Sequence, residues 1–569
     1  MPLINIETLD DPVQLERVQT FRGGMNSFDT PENLPSDTSQ ILENMLVPDN
    51  LVVRTREGAD PIAGNNAPTG GIIQGLFWFN PPAYSPGIVA ICNAIFSSYV
   101  GGAWSAVTVT GGSNWGSTTR MAIAQGVDKL YVSDGVDGHP WVQWTGTGNA
   151  TKLGTNVGTG GNIGDPPMGA GVIFWIGSRM FATAFPNGLT NYNNDTLCCS
   201  LVLAAGNASW DNVIWSVRIG GGDGDPIISA IPMQNNWILV LKQKSLWLVY
   251  ADPTATSAAG WTVQNLTREI GCVGARAATI NGNDIMFLAK DGIRSVRRMA
   301  IGVDEYEVVP PASEHVKSIT DRINWQYANL VSAWRYKQWI LFSLPLDGAT
   351  TNTGVLVFNT RTQTWMGLWN NPQSPTWNVT QFATAYGIGA NNADVLLLGD
   401  TSGHVNKWKD DQDATLAATF LDNAFPYQSR LRSRTFQFQD TVATKDAWYM
   451  ELRLLNVAPN NSGGFTINVN LFTDDNQFPS VVLAPTITAA ILGQIVLPFV
   501  LAGNSPYTTR VPLDVLPDFN QLYVDFVAPV VTTVLPGGRI VYTGGGLIEI
   551  KNFTIAAFLN TISNDSKSP

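Results

Sequence analysis

Charge is scarce in this chain. Only 14% of its 569 residues are Asp, Glu, Lys or Arg, against roughly a quarter in an average soluble protein. Disorder goes with high charge and few aromatics, so it is excluded. The Glu, Lys, Ala and Leu excess of a coiled coil is missing too. Basic residues are outnumbered 33 to 45, for a net charge of −12, which is the wrong sign for gripping nucleic acid through its phosphates. Three histidines, His139, His315 and His404, stand far apart and are too few for most His-based metal sites. The four cysteines, Cys92, Cys198, Cys199 and Cys272, form no C-x-x-C pair. Zinc-ribbon and thioredoxin readings fail, and a disulfide framework would need far more cysteine. Free thiols in a reducing cytosol are expected. Met1 to Thr20 holds no apolar segment, which argues against a signal peptide. The most apolar stretch, Val481 to Gly503, is broken by Pro485, Gln494 and Pro498 and reads as paired strands rather than a membrane helix.

Glycine and tryptophan are plentiful. There are 54 Gly, and the 19 Trp outnumber the 14 Tyr. Few charges, many turn residues and many aromatics point to an all-β chain. From residue 70 to 412, short apolar runs recur every 40 to 60 residues or so. They are Gly75-Leu76-Phe77-Trp78-Phe79, Lys129-Leu130-Tyr131-Val132, Val172-Ile173-Phe174-Trp175-Ile176 and Trp237-Ile238-Leu239-Val240-Leu241. Asp284-Ile285-Met286-Phe287-Leu288, Trp339-Ile340-Leu341-Phe342 and Val395-Leu396-Leu397-Leu398 complete the series. The spacing matches the blade period of a β-propeller of about seven units, six being the other count it allows. Hairpins are written around Lys242-Gln243-Lys244-Ser245, Lys290-Asp291-Gly292 and Asn359-Thr360-Arg361-Thr362. Blades cover one another on both faces, so their strands are apolar on successive residues.

Residues 1–69 read as an arm with a short helix and a strand that pack on the propeller. Ser36 or Asp37 would cap a helix through Asn44, and Leu51 to Arg56 is the strand. A second helix is expected over Ser313 to Ile323, where Val316, Ile319 and Ile323 share a face. After a boundary near 410–426 the strands lengthen and alternate. Residues 413–569 therefore predict a C-terminal β-sandwich.

Motifs with chemistry are sparse. The chain has no G-x-S-x-G, Walker A or H-E-x-x-H string. The loop Gly220-Gly221-Gly222-Asp223-Gly224-Asp225 resembles a calcium loop but lacks the later bidentate Glu. Asp134-Gly135, Asp291-Gly292 and Asp474-Asp475-Asn476 read as turns. The acidic residues are spread too widely to nominate a glycosidase pair. No catalytic residue, cofactor site or metal site is expected. Arg430, Arg432 and Arg434 alternate, so they share one face of a strand. They are the interaction candidates, facing an acidic partner or phosphate, unless local ion pairs take them up. Trp334, Trp339, Trp365 and Trp369 fit packing between blades better than sugar stacking.

An ordered series of strings carries a family resemblance. "FRGGMN" is followed by "ENLPSDTSQILENMLV", "NLVVRTREG", "WILVLKQKSLWLVY", "REIGCVGARAATINGNDIMFLAKDGIRSV", "YKQWILFSLP" and "GVLVFNTRTQTWMGLW". In this order, over most of residues 20 to 450, the chain resembles the tail nozzle proteins of short-tailed bacteriophages. These are also called tail tubular protein B or packaged-DNA stabilisation proteins. The resemblance implies a non-enzymatic virion component, assembled in the host bacterial cytoplasm as a hexameric ring. Its implied neighbours are the tail adaptor proteins of the portal complex and the tail fibres or spikes. Genomic DNA would be retained after packaging and conducted at ejection without tight binding. A propeller-type carbohydrate-binding or glycoside-hydrolysing tail protein is the alternative.

Overall fold

The computed structural model describes residues 13–559 apart from 49–51, 66, 156–162, 187–192, 203–208, 212, 283, 298–309, 375–376, 390–391, 410–420, 424, 439–444, 460–466, 474–475, 478–480, 484–490, 493–494, 497–506, 520, 529, 535–539 and 545. Strands dominate, and no described helix is long and apolar enough to cross a membrane. Seven sheets follow one another between residues 73 and 408. Their first strands are Ile73–Phe79, Ala122–Gly126, Val172–Ile176, Ile227–Pro232, Ala278–Asn281, Ser332–Tyr336 and Val379–Ala385. These seven strands touch in cyclic order, the last against the first, and line a common axis. The body is a seven-bladed β-propeller. Each apolar run noted in the sequence falls in a different blade. The three hairpins occupy blades 4, 5 and 6, with strand pairs Trp237–Lys242/Leu246–Tyr250, Asp284–Ala289/Gly292–Ser295 and Gly354–Asn359/Thr364–Trp369.

Burial on both faces explains the unbroken apolar strands. Every residue of Trp339–Leu344 and of Gly354–Asn359 is buried. Neighbouring Cys198 and Cys199 point to opposite faces of blade 3, as strand residues must. Cys198 packs with Tyr131 and Trp141 toward blade 2, and Cys199 with Ile227 and Val249 toward blade 4. Both are buried because a blade has no solvent face here.

The first 69 residues are more than an arm. Ala59–Pro61 pairs antiparallel with Val405–Trp408 and supplies the fourth strand of blade 7. The propeller is thus closed by a strand that precedes blade 1 in sequence. The expected helix after Asp37 is instead a strand, Thr38–Glu43. Tertiary pairing overrides local capping signals there. This linking strand runs antiparallel to Ser429–Ser433, and its end lies parallel to Leu368 of blade 6. Blade 6, the linking strand and one sheet of the C-terminal domain form a single 11-stranded sheet. The second expected helix shrinks to a 3-10 turn, Glu314–Val316, and one α turn, Lys317–Thr320. Ser313 does not cap it. Its hydroxyl accepts the Ile293 N–H at 2.9 Å.

The C-terminal domain sets that sheet, through Ser429–Ser433, Leu522–Ala528 and Ile467–Thr473, against a second one. The second contains Gly546–Leu559, Lys445–Pro459 and Tyr507–Phe519. Phe526 and Phe553 meet edge to face across the gap at 5.3 Å. Alternate residues of Ile467–Thr473 point inward, the pattern of a sandwich. In the apolar stretch from Val481, Ile491–Leu492 pairs with Ile495–Val496. Most of the rest of that stretch lies outside the described residues, as does the Asp474-Asp475 tip.

Candidate functional site

The seven inner strands enclose a cavity of about 560 Å³. Its walls are mainly apolar, with Phe77, Trp78, Ile123, Ile173, Trp334 and Phe382 among them. None of its described lining residues is Asp or Glu. One level of the ring, at the beginning of the inner strands, is polar. There the strands are tied to one another by hydrogen bonds rather than by a ladder. Met121 N–H donates to the Gln74 carbonyl at 2.9 Å, and Ala333 N–H to the Arg276 carbonyl at 2.7 Å. Ser229 Oγ donates to the Ala275 carbonyl at 2.7 Å, and Thr380 Oγ1 to the Ile73 carbonyl at 3.0 Å. Buried Gln74 donates through Nε2 to the Gly116 and Thr119 carbonyls, both at 2.6 Å. Gln381 Nε2 in turn donates to the Gln74 carbonyl. This collar leaves few backbone groups unpaired where the strands converge.

Two arginines cross the ring at this level. Arg276, from blade 5, donates through Nη2 to the Met121 carbonyl of blade 2. Arg120, from the start of blade 2, donates through Nη2 to the Leu330 carbonyl before blade 6 at 2.5 Å. Burial pulls the Arg120 guanidinium down to about 10. Burial, and then the charge of Arg120, pull Arg276 down to about 9. Both remain charged at neutral pH. Sequence reasoning passed over both residues. Each stands alone in an unremarkable string, and only ring closure brings them together.

The arginines singled out in the sequence are engaged within the chain. Arg430 makes a two-pronged pair with buried Asp525, Nε to Oδ1 at 3.0 Å and Nη2 to Oδ2 at 2.6 Å. Arg432 reaches the same carboxylate at 3.0 Å and lies over the rings of Phe472 and Tyr523. Arg434 pairs with Glu16 at 2.9 Å and covers Phe436. They fasten the C-terminal sheet. The glycine-rich loop is likewise occupied. Asp223 holds fully buried Lys242 at 2.7 Å, and Asp225 accepts from Ser245 Oγ at 2.7 Å. Among the described residues, no three His, Cys, Asp or Glu side chains cluster as metal ligands. Asp134 opens the hairpin loop between Lys129–Ser133 and Val142–Trp144, which pair antiparallel, in line with its reading as a turn. It accepts from Val136 N–H at 3.1 Å, with His139 Nδ1 at 2.6 Å. Of the four tryptophans, Trp339, Trp365 and Trp369 are core, and Trp334 lines the cavity.

No family model and no curated protein matches the sequence. Solved structures do resemble this chain. YCF48 bound to D1 peptide aligns with 63% of this chain and 97% of its own, at 12% identity and a TM-score of 0.34. The extracellular domain of BT4673 from B. thetaiotaomicron aligns with 91% of this chain at 10% identity and a TM-score of 0.39. This chain spans 62% of its length. PorZ, a surface component of the type-IX secretion system of Porphyromonas gingivalis, covers 84% and 59% at 10% identity and 0.38. The likeness is one of fold, the β-propeller.

All four cysteines are free and buried. Burial pushes Cys92 up to about 11 and Cys199 and Cys272 up to about 12. At pH 8 a thiol at 11 is ionised in about one molecule in a thousand, and the thiolate is the reactive form. None of the four should react with an aromatic disulfide reagent in the native protein, and all four should react in guanidinium. A fast thiol in the native state would contradict this burial.

Proposed function

We propose that the chain is a structural component of a bacteriophage tail. In this reading it is a nozzle ring that closes the portal-adaptor channel after packaging and conducts DNA at ejection. The motif order named above supports the family. The structural observation that carries the reading is the weld between the two domains. A part that must withstand a packaged genome needs its domains to move as one body. The linking strand Thr38–Glu43 gives a continuous sheet from blade 6 into the C-terminal sandwich, and the Arg430/Arg432–Asp525 cluster braces that sheet. The proposed partners are five further copies, the adaptor proteins, tail fibres or spikes, and DNA in transit. The proposed place is the virion tail, and no enzymatic step is assigned. A glycosidase reading would need a carboxylate pair at the propeller axis, and the described residues of the cavity lining include no carboxylate.

Electron microscopy of the purified chain with its adaptor and portal is the test. A six-fold ring with an axial channel is expected. A chain that stays monomeric beside them and binds glycans would overturn the reading. Six copies carry roughly −72 formal charges. A conduit must let a polyanion slide, and cationic surfaces hold it by counterion release. Duplex DNA should therefore bind the protein more weakly than about 100 µM at physiological salt, the loose end of non-specific binding. Tight, salt-sensitive retention in a filter-binding assay would contradict conduction.

A further inference from the structure

The two crossing arginines close one end of the propeller axis. Arg276 reaches from blade 5 to the Met121 carbonyl of blade 2, and Arg120 from blade 2 to the Leu330 carbonyl before blade 6. In a ring of seven, each of these spans passes from one side of the axis to the other. Nη1 of both guanidiniums is sealed from solvent. Gln74, Met121, Ser229, Ser332 and Gln381, at the same level, are buried. The far end of the cavity differs. Its lining there is Trp78, Ile280, Arg335 and Tyr386. Ile280 is 38% and Tyr386 58% exposed, and Arg335 is exposed as well. The axis is therefore a blind pocket, floored by the collar and open where the inner strands end.

Size and charge define what fits. Ser332 stands at the floor and Arg335 at the rim of one strand, a depth of about 10 Å at about 3.3 Å per strand residue. The volume of about 560 Å³ is that of a small-molecule pocket. Trp334 in the wall has its indole N–H satisfied by Thr384 Oγ1 at 2.9 Å, so it offers the pocket a ring and no polar atom. The described lining holds two charged side chains, Arg276 and Arg335. Arg276 is used in the floor. Among the described residues, no side chain pairs with the Arg335 guanidinium. An occupant thus needs an apolar body, and its polar end emerges beside an unpaired cation that can give a charge-assisted hydrogen bond. A polynucleotide would bring many charges and no such body. We propose that the open end of the propeller axis binds a small apolar monoanion. Its alkyl or aryl body fills the blind pocket, and its headgroup stays at the rim on Arg335.

The test titrates the full chain with octanoate, octan-1-ol and octylammonium by isothermal titration calorimetry. The three share a body and differ in headgroup charge. Octanoate should bind one per chain, at least fivefold more tightly than the alcohol, and octylammonium more weakly than either. Hexanoate and butanoate should lose about fourfold in affinity per methylene removed, the mark of a buried chain. Arg335→Glu should invert the order, with octylammonium ahead of octanoate. Arg335 is exposed, and far-ultraviolet circular dichroism establishes that the variant is folded. The three-probe comparison on the unaltered protein decides even where the variant fails to fold. Absence of octanoate binding, equal affinity for acid and alcohol, no dependence on chain length, or a folded Arg335→Glu protein that still prefers octanoate would each overturn the site. None of these outcomes bears on whether the chain forms a ring.

Discussion

Replacing Arg56 by Met should destabilise the protein by about 3–5 kcal/mol, the usual cost of removing one partner from a buried ion pair. Arg56 is fully buried and grips Asp422 through both Nη atoms, at 3.0 and 2.6 Å. Its Nε donates to Asn44 Oδ1 at 2.9 Å. The guanidinium lies 3.9 Å from the Tyr427 ring centre and 4.4 Å from that of Trp377. It therefore joins the N-terminal segment, blade 6, blade 7 and the start of the C-terminal domain. Met fills much of the space but leaves the Asp422 carboxylate without its cation. Arg56→Lys should also be costly, because an ammonium cannot make the forked contact. Urea denaturation measures the loss. Adding Asp422→Asn to Arg56→Met should recover part of it. If the double variant is as unstable as the two single losses summed, the pair is not coupled and this account fails.

Gly367→Ala should cost about 3 kcal/mol or more, from strain at positive φ and from a backbone collision. Gly367 has φ +83°, and a Cβ there would come within 2.0 Å of the Leu42 carbonyl oxygen. The linking strand would have to withdraw from blade 6. Asn44 N–H would lose the Leu368 carbonyl at 2.8 Å, and Trp369 Nε1 the Met45 carbonyl at 3.1 Å. Gly101 is the control, with φ +60° and nothing near its missing Cβ. Gly101→Ala should cost only about 1 kcal/mol. Melting curves should split into two transitions for Gly367→Ala and stay single for Gly101→Ala. Equal, small effects would show that the linking strand does not depend on this close approach.

The blades were readable because they write themselves locally. Each apolar run, with the turn residues beside it, fixes one hairpin, and the period repeats seven times. The N-terminal segment was not readable in this way. Thr38–Glu43 follows Pro35-Ser36-Asp37, a fair helix start, and becomes a strand only because Ser429–Ser433 and blade 6 offer it partners. Arg430, Arg432 and Arg434 were visible as an alternating set. That a single carboxylate, Asp525, would take up two of them depends on a strand pairing about a hundred residues away. Arg120 and Arg276 gave no signal. They belong to different blades, and their proximity is a product of the circle.

Ring closure also sets a timetable. Pro61 pairs with Asn406, so a ribosome releases the closing strand early and its partner much later. At about 5–20 residues per second, the interval is on the order of tens of seconds. During that time blades 1 to 6 can form as hairpins, but the first inner strand has no seventh neighbour and Ala59–Pro61 has nothing to pair with. Unpaired strand edges invite association with other chains. Nascent copies crowded on one messenger would be exposed to exchange of this strand between neighbours, a domain-swapped product that purified, already closed chains could no longer form.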